Sequence, residues 1–125
     1  MLSEPRPNLL IVDDDSDMRM VLVQLFEDFE ISIFEAENGA AAFEIIKKYV
    51  IDCVITDLAM PGGDGVTLLK NINNLDGSRP AIFVCSGYNT LDLQTAKDLN
   101  VVKIFDKPFS PPAFIDEVSI YLKKL

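Results

Sequence analysis

Leu9-Leu10-Ile11-Val12-Asp13-Asp14-Asp15 is the stretch from which the fold can be read. Four consecutive apolar residues do not alternate between a wet and a dry side. They suit a strand buried on both faces, ended abruptly by the three aspartates. Cys53-Val54-Ile55-Thr56 and Ala81-Ile82-Phe83-Val84-Cys85 are built alike, and they stop at Asp57 and Ser86. Weaker strand candidates lie at 31–34 and 101–105, with helical spacing between and after the five. Met18, Leu22, Leu25 and Phe29 recur at helical intervals, as do Val66, Leu69 and Ile72, and Phe114, Val118, Tyr121 and Leu125. A helix over 40–48 leans on Phe43 and Ile46, and a weakly amphipathic one is predicted over about 90–99. Ser110-Pro111 opens the last helix with a hydroxyl cap and a residue that needs no amide partner. Asp76-Gly77, before Arg79-Pro80, marks the turn into the fourth strand. Strands alternating with helices over short connections predict an α/β fold: a doubly wound five-stranded parallel sheet, right-handed crossovers, and five helices on both faces.

Composition bounds what this fold can do. The chain has 125 residues, 49% hydrophobic, with 11 basic and 20 acidic side chains, for a net charge of −9. A single domain over 1–125 is expected, with residues 1–7 a loose tail. At this length roughly two-thirds of the unfolded surface is buried, so neither disulfide nor metal is needed merely to fold. Such an acidic surface repels phosphate backbones, which argues against direct nucleic-acid binding. No apolar stretch reaches the ~18 to 20 residues of a membrane span, and the first residues lack signal-peptide character, so a cytoplasmic protein is expected. The absence of histidine removes histidine metal ligands, bases and nucleophile pairs. Cys53 and Cys85 lie in apolar runs. With Asp57 and Ser86 ending adjacent strands in register they would sit about 10 Å apart, too far for a disulfide.

In an open parallel sheet, ligands bind beyond the carboxyl ends of the strands. Here those ends carry Asp13-Asp14-Asp15, Asp57, Ser86 and Lys107. Carboxylates about 4 Å apart repel by ~1 kcal/mol per pair in water and ~4 at an effective dielectric of 20. Protonation would offset this. So would a hard divalent cation, for which an oxygen-only cluster favours Mg²⁺. With a lysine for an anion and a serine hydroxyl as donor, the set suits a phosphoryl group on or near an aspartate. Singly, each element has an ordinary explanation: aspartates at a helix N-terminus, Pro and Gly in a turn after Asp57, a surface loop at Lys107-Pro108. Their coincidence at one sheet edge is what ordinary structure does not explain.

Leu9 to Asp15, Ala36-Glu37-Asn38-Gly39, Asp57-Leu58-Ala59-Met60-Pro61 with Asp64-Gly65, Val84-Cys85-Ser86-Gly87 and Lys107-Pro108-Phe109 resemble, in order and spacing, the signatures of response-regulator receiver domains of two-component phosphorelays. The resemblance covers nearly the whole chain and implies a flavodoxin-like sheet in the order 2-1-3-4-5. By that likeness Asp57 is the phosphoacceptor, taking a phosphoryl group from a phosphohistidine of a histidine kinase or phosphotransfer protein, or from a small phosphodonor. Asp14 and Asp57 ligate Mg²⁺ with the backbone carbonyl of Ala59, and Asp13 acts mainly through water. Lys107 pairs with a phosphoryl oxygen, and Ser86 hydrogen-bonds another. The expected output is a changed surface on the fourth helix, fifth strand and fifth helix. It is read by an effector protein, by a homodimer partner or by an output domain beyond these residues. Such a chain is a phosphoacceptor switch with slow self-phosphorylation and self-dephosphorylation, not a turnover enzyme.

Departures from the family pattern are visible. Ile104 stands where the family carries a Tyr or Phe that turns inward on activation, with Phe105 next to it. Asn100-Val101 replaces a common Gly-Ala, and Asn tolerates a left-handed backbone. Gly63 stands where Met is frequent, and Ala59 and Tyr88 occupy positions that tune phosphoryl lifetime in the family. Two other readings compete. An aspartate-nucleophile phosphatase of the haloacid-dehalogenase type would attack through Asp13, although the chain is short for one and Asp57-to-Pro61 is then unexplained. A flavodoxin-like module that binds a partner without phosphorylation would leave the acidic set idle.

Overall fold

A computed structural model describes residues 6–60, 65–87 and 91–122, and the structural statements below concern these residues. Along the chain run β1 (Asn8–Val12), α1 (Ser16–Phe26), β2 (Ser32–Ala36), α2 (Gly39–Lys48), β3 (Cys53–Thr56), α3 (Gly65–Asn73), β4 (Ala81–Ser86), α4 (Leu93–Asp98), β5 (Val101–Asp106) and α5 (Pro111–Leu122). The strands form one parallel sheet in the order β2-β1-β3-β4-β5. This is the expected flavodoxin-like order.

Side chains of successive strand residues point to opposite faces, so the continuous apolar runs divide between two cores. Leu10, Val12, Val54, Ile82 and Val84 face α2, α3 and α4. Leu9, Ile11, Cys53, Ile55, Phe83 and Cys85 face α1 and α5, where they meet Leu22, Phe26, Phe114 and Val118. The three central strands are buried almost throughout, whereas edge strands β2 and β5 are only partly covered.

Helix ends are set by side-chain caps. Asp15 accepts the amides of Asp17 and Met18, Asn38 that of Ala41, and Asp92 that of Thr95. The Asp92 cap makes α4 shorter than the predicted 90–99, and residues 88–90 lie outside the described set. Helix α1 stops at Phe26. Phe29 lies beyond its end, yet packs against the same core and meets the Phe26 ring at 5.4 Å. Strand β2 is displaced to Ser32–Ala36, because pairing with β1 runs in unbroken register from Asn8↔Ser32 to Val12↔Ala36. At the end of the expected tail the Pro7 carbonyl accepts the Ser32 amide at 2.9 Å. Residues 1–5, Pro61 to Asp64, Tyr88 and Leu125 lie outside the described residues. The predicted turn is present, with Gly77 at φ 82°. Asn100 does adopt the left-handed conformation, at φ 59°.

Both cysteines are buried free thiols. Thr56 pairs with Val84, so Asp57 falls opposite Cys85 and not Ser86. The two cysteines are therefore four rungs apart, about 13 Å along the strands, somewhat further than expected. Among the described residues no helix is long and apolar enough to cross a membrane.

Candidate functional site

The sheet order brings the ends of β1, β3, β4 and β5 side by side, and with them the polar residues singled out in the sequence. The three consecutive aspartates have three different positions. Asp13 is only 2% exposed; one carboxylate oxygen accepts the Asp15 amide at 3.0 Å and the other lies 2.9 Å from Lys107 Nζ. Asp14 is exposed. Asp15 is exposed and caps α1, its carboxylate taken up by the Asp17 and Met18 amides.

Asp57 follows β3 and continues its ladder by donating its amide to the Val12 carbonyl at 3.1 Å. Its Oδ1 accepts the Leu58 amide at 2.6 Å, and its Oδ2 lies 3.2 Å from Lys107 Nζ. Thr56 Oγ1 donates to the Asp57 carbonyl at 2.8 Å. Gly65 packs against this turn from α3, its amide bound to the Leu58 carbonyl at 2.8 Å. A Cβ at Gly65 would fall on the Asp57 carbonyl oxygen, so the close approach requires glycine. Lys107 follows β5, with its amide donated to the Ser86 carbonyl at 2.9 Å and a cis peptide bond to Pro108. Ser86 is buried at the last residue of β4, opposite Asp106. Ala59 is exposed in the loop after Asp57.

Carboxylate oxygens of Asp13, Asp14 and Asp57 all lie within 4.8 Å of one another. One ammonium, that of Lys107, contacts Asp13 and Asp57. Burial raises the Asp13 carboxyl above its ordinary range; the Asp15 amide and Lys107 oppose this, and the Asp57 charge adds to it. Burial alone would lower Lys107, but the hydrogen bonds and charges of Asp13 and Asp57 outweigh it and the net shift is upward. Burial also pushes the Cys85 thiol up to about 12, so it is not a thiolate nucleophile near neutral pH. A dense all-oxygen donor set with an unbalanced negative charge fits a hard divalent cation.

Ile104 faces the α2–α4 side of the sheet, while Phe105 points to the opposite face and packs on Phe114 at 4.9 Å. Phe105 thus does not take the place of an aromatic residue at position 104. Sequence reasoning passed over Arg19, which donates from Nη1 to the Asp13 carbonyl at 2.6 Å and lies 3.4 Å through Nε from Glu35. The signal for it is a cation one turn into a helix that opens on three aspartates.

Residues 9–119 match the response regulator receiver domain family. The chain is 34% identical over 115 residues to sporulation initiation phosphotransferase F of Bacillus subtilis, covering 91% of this chain and 92% of that one. It is also 34% identical over 112 residues to the chemotaxis protein CheY of Halobacterium salinarum, covering 89% and 92%. The solved receiver domain of Francisella response regulator 1452 superposes with a TM-score of 0.83 at 26% identity, covering 95% of this chain and 98% of that one. The chain belongs to the response regulator receiver domain family, the phosphoacceptor modules of two-component signalling.

Proposed function

We propose that this receiver acts as one domain over residues 1–125 and takes a phosphoryl group onto Asp57. The observation that carries this reading is the geometry of Asp57 against its neighbours. Asp57 Oδ1 is held by the Leu58 amide, which leaves Oδ2, opposite Lys107, as the oxygen aimed at a donor. Asp13 is more deeply buried than Asp57, which disfavours it as the nucleophile of a phosphatase-like scheme.

The donor is a phosphohistidine on a histidine kinase or phosphotransfer protein. Asp57 Oδ2 forms a bond to phosphorus as the phosphorus–nitrogen bond breaks, and imidazole leaves. Lys107 exchanges its contact with Oδ2 for a phosphoryl oxygen, and the Ser86 hydroxyl donates to another. Asp13, Asp14, Asp57 and the Ala59 carbonyl would hold Mg²⁺, with Asp13 mainly through water. Bound there, the cation supplies positive charge to the phosphoryl oxygens during transfer. Beside the site, Met18, Val21 and Leu25 of α1 and Pro108, Phe109 and Pro111 line an apolar groove of about 420 Å³, a seat for a helix of the phosphodonor protein.

Output passes through α4, β5 and α5, where Leu93, Val102 and Ile120 are exposed. A downstream effector, an output domain beyond these residues or a second copy reads this surface in the cytoplasm. The test is intact mass after incubation with acetyl phosphate, with Mg²⁺ or with EDTA. One phosphoryl group should be gained with Mg²⁺ only, and not in Asp57→Asn. A gain that persists in Asp57→Asn and disappears in Asp13→Asn would replace this reading with the phosphatase-like one.

A further inference from the structure

Strand β1 ends where the site begins, which leaves a backbone group to be accounted for. The Asp13 amide makes the last rung with β2, donating to Ala36 O at 3.1 Å. Had β1 continued, the Asp13 carbonyl would have paired with the same neighbour, but the chain turns into α1 instead. A buried carbonyl needs a donor. Arg19 supplies it from the first turns of α1, with Nη1 at 2.6 Å, a charge-assisted bond in place of a ladder bond. The Arg19 side chain is only 18% exposed and is held from its other edge by Glu35 of β2, 3.4 Å from Nε.

The Asp13 carbonyl shares a rigid peptide plane with the Asp14 amide. Whatever fixes that carbonyl therefore fixes the direction in which Asp14 leaves the backbone. Asp13 has its own restraints, in Asp15 and Lys107. The exposed Asp14 carboxylate has no hydrogen bond to hold it among the described residues, so its placement depends on its backbone. We infer that Arg19 is the positioning residue of the Asp13-Asp14 pair, orienting the peptide plane so that Asp14 meets Asp13 and Asp57 around a divalent cation. Glu35 completes the device by offsetting the Arg19 charge, which would otherwise repel the cation. This inference rests on the metal reading given above.

The two contributions of Arg19 have opposite signs, which makes them separable. As a bare charge near the site, Arg19 weakens cation binding, and its removal tightens it. As a positioning residue, its removal loosens Asp14 and weakens binding, as loss of an outer partner of a ligand does, by about 10-fold. Mg²⁺ binding to the full chain is measured by calorimetry for wild type, Arg19→Gln, Arg19→Lys and Asp14→Asn, with melting curves to confirm folding. Arg19→Gln should bind Mg²⁺ about 10-fold more weakly. Arg19→Lys, which keeps the charge and one donor, should fall between it and wild type. The Mg²⁺ concentration that half-saturates phosphorylation by acetyl phosphate should rise in parallel, more than the maximal rate falls. If Arg19→Gln fails to fold, Arg19→Lys binding at least as tightly as wild type overturns the inference. Unchanged or tighter binding in a folded Arg19→Gln overturns it too, with the metal reading intact if Asp14→Asn has lost the ion. A wild type that binds no Mg²⁺ overturns the metal reading itself and the inference with it.

Discussion

The two faces of the sheet are packed with different materials. Against α1 and α5, rings meet rings: Phe114 contacts Phe26, Phe105 and Phe109 at centroid distances of 5.9, 4.9 and 4.6 Å, and Phe83 reaches Tyr121 at 5.5 Å. Against α2, α3 and α4 the buried core is aliphatic, and its aromatic members, Phe34 and Phe43, sit only partly buried at the rim. Phe105 and Phe109, two residues to either side of Lys107, meet each other at 6.4 Å, so the lysine that joins Asp13 to Asp57 leaves the chain between two members of the aromatic face. On the other face α4 has six residues, of which Ala96 alone is buried, and Leu93 is 81% exposed. So short a helix with so little burial belongs to the low-stability end of a fold. The chemistry is built on the stiff face, and the surface proposed to respond is on the loose one.

That contrast is most exposed to core truncation. Phe114→Ala should cost about 4 kcal/mol of stability, whereas Ile104→Ala, half-buried on the aliphatic face, should cost about 1 to 2. Urea denaturation of both variants checks this, and equal losses would remove the distinction between the faces. A smaller effect is expected at the site itself. Gly65→Ala puts a methyl group on the Asp57 carbonyl and forces the turn to shift, at about 1 to 3 kcal/mol. Gly87→Ala meets nothing nearer than Lys107 Cβ at 3.9 Å and should stay within about 0.5 kcal/mol of wild type.

The pH dependence of the site has a definite sign. The folded state raises the Asp13 pKa above 3.8, so this group's stabilising contribution is whole below that value and is lost as pH rises through the folded pKa. At neutral pH and without divalent cation, the buried carboxylate is therefore a cost. Asp13→Asn removes it, and the stability of the variant relative to wild type should increase from about pH 4 to about pH 7. Thermal melts in EDTA at both pH values test this, and a relative stability that falls with pH contradicts it.

How much of this was legible in the sequence follows from the same physics. Strands β1, β3 and β4 are buried on both faces and so read as continuous apolar runs, and the convergence of Asp13, Asp57, Ser86 and Lys107 follows from where those runs stop. The start of α4 lies at Leu93 and not near residue 90 because the cap at Asp92 is a local hydrogen bond, and apolar spacing does not mark the end of α1 because Phe29 remains apolar after the helix has ended. The facing of Ile104 and Phe105 was not readable, because the register between β4 and β5 shifts at Ile82/Phe83, so Val101 and Ile104 share a face despite their odd spacing. Arg19 and Gly65 act through backbone atoms 6 to 8 residues away in sequence, on groups that turns bring back. Apolar periodicity carries no trace of such contacts.

A last effect concerns how the loose face is tied down. Asn73, the last residue of α3, donates to the carbonyls of Leu69 and Leu99 at 2.8 and 2.7 Å, and its Oδ1 accepts from Asn100 Nδ2 at 2.6 Å. The C-terminal end of α4 is thus pinned to α3 by a pair of amides, at a residue with positive φ. Asn100→Ala loses the bond and strains the backbone, for about 2 kcal/mol in all. Asn100→Gly accepts the angle and loses only the bond, for about 1 kcal/mol or less. Chemical denaturation separates the two, and hydrogen exchange of the α4 amides should quicken in both. Exchange left at the wild-type rate would mean that the Asn73–Leu99 bond and the buried Ala96 hold α4 without the Asn100 amide.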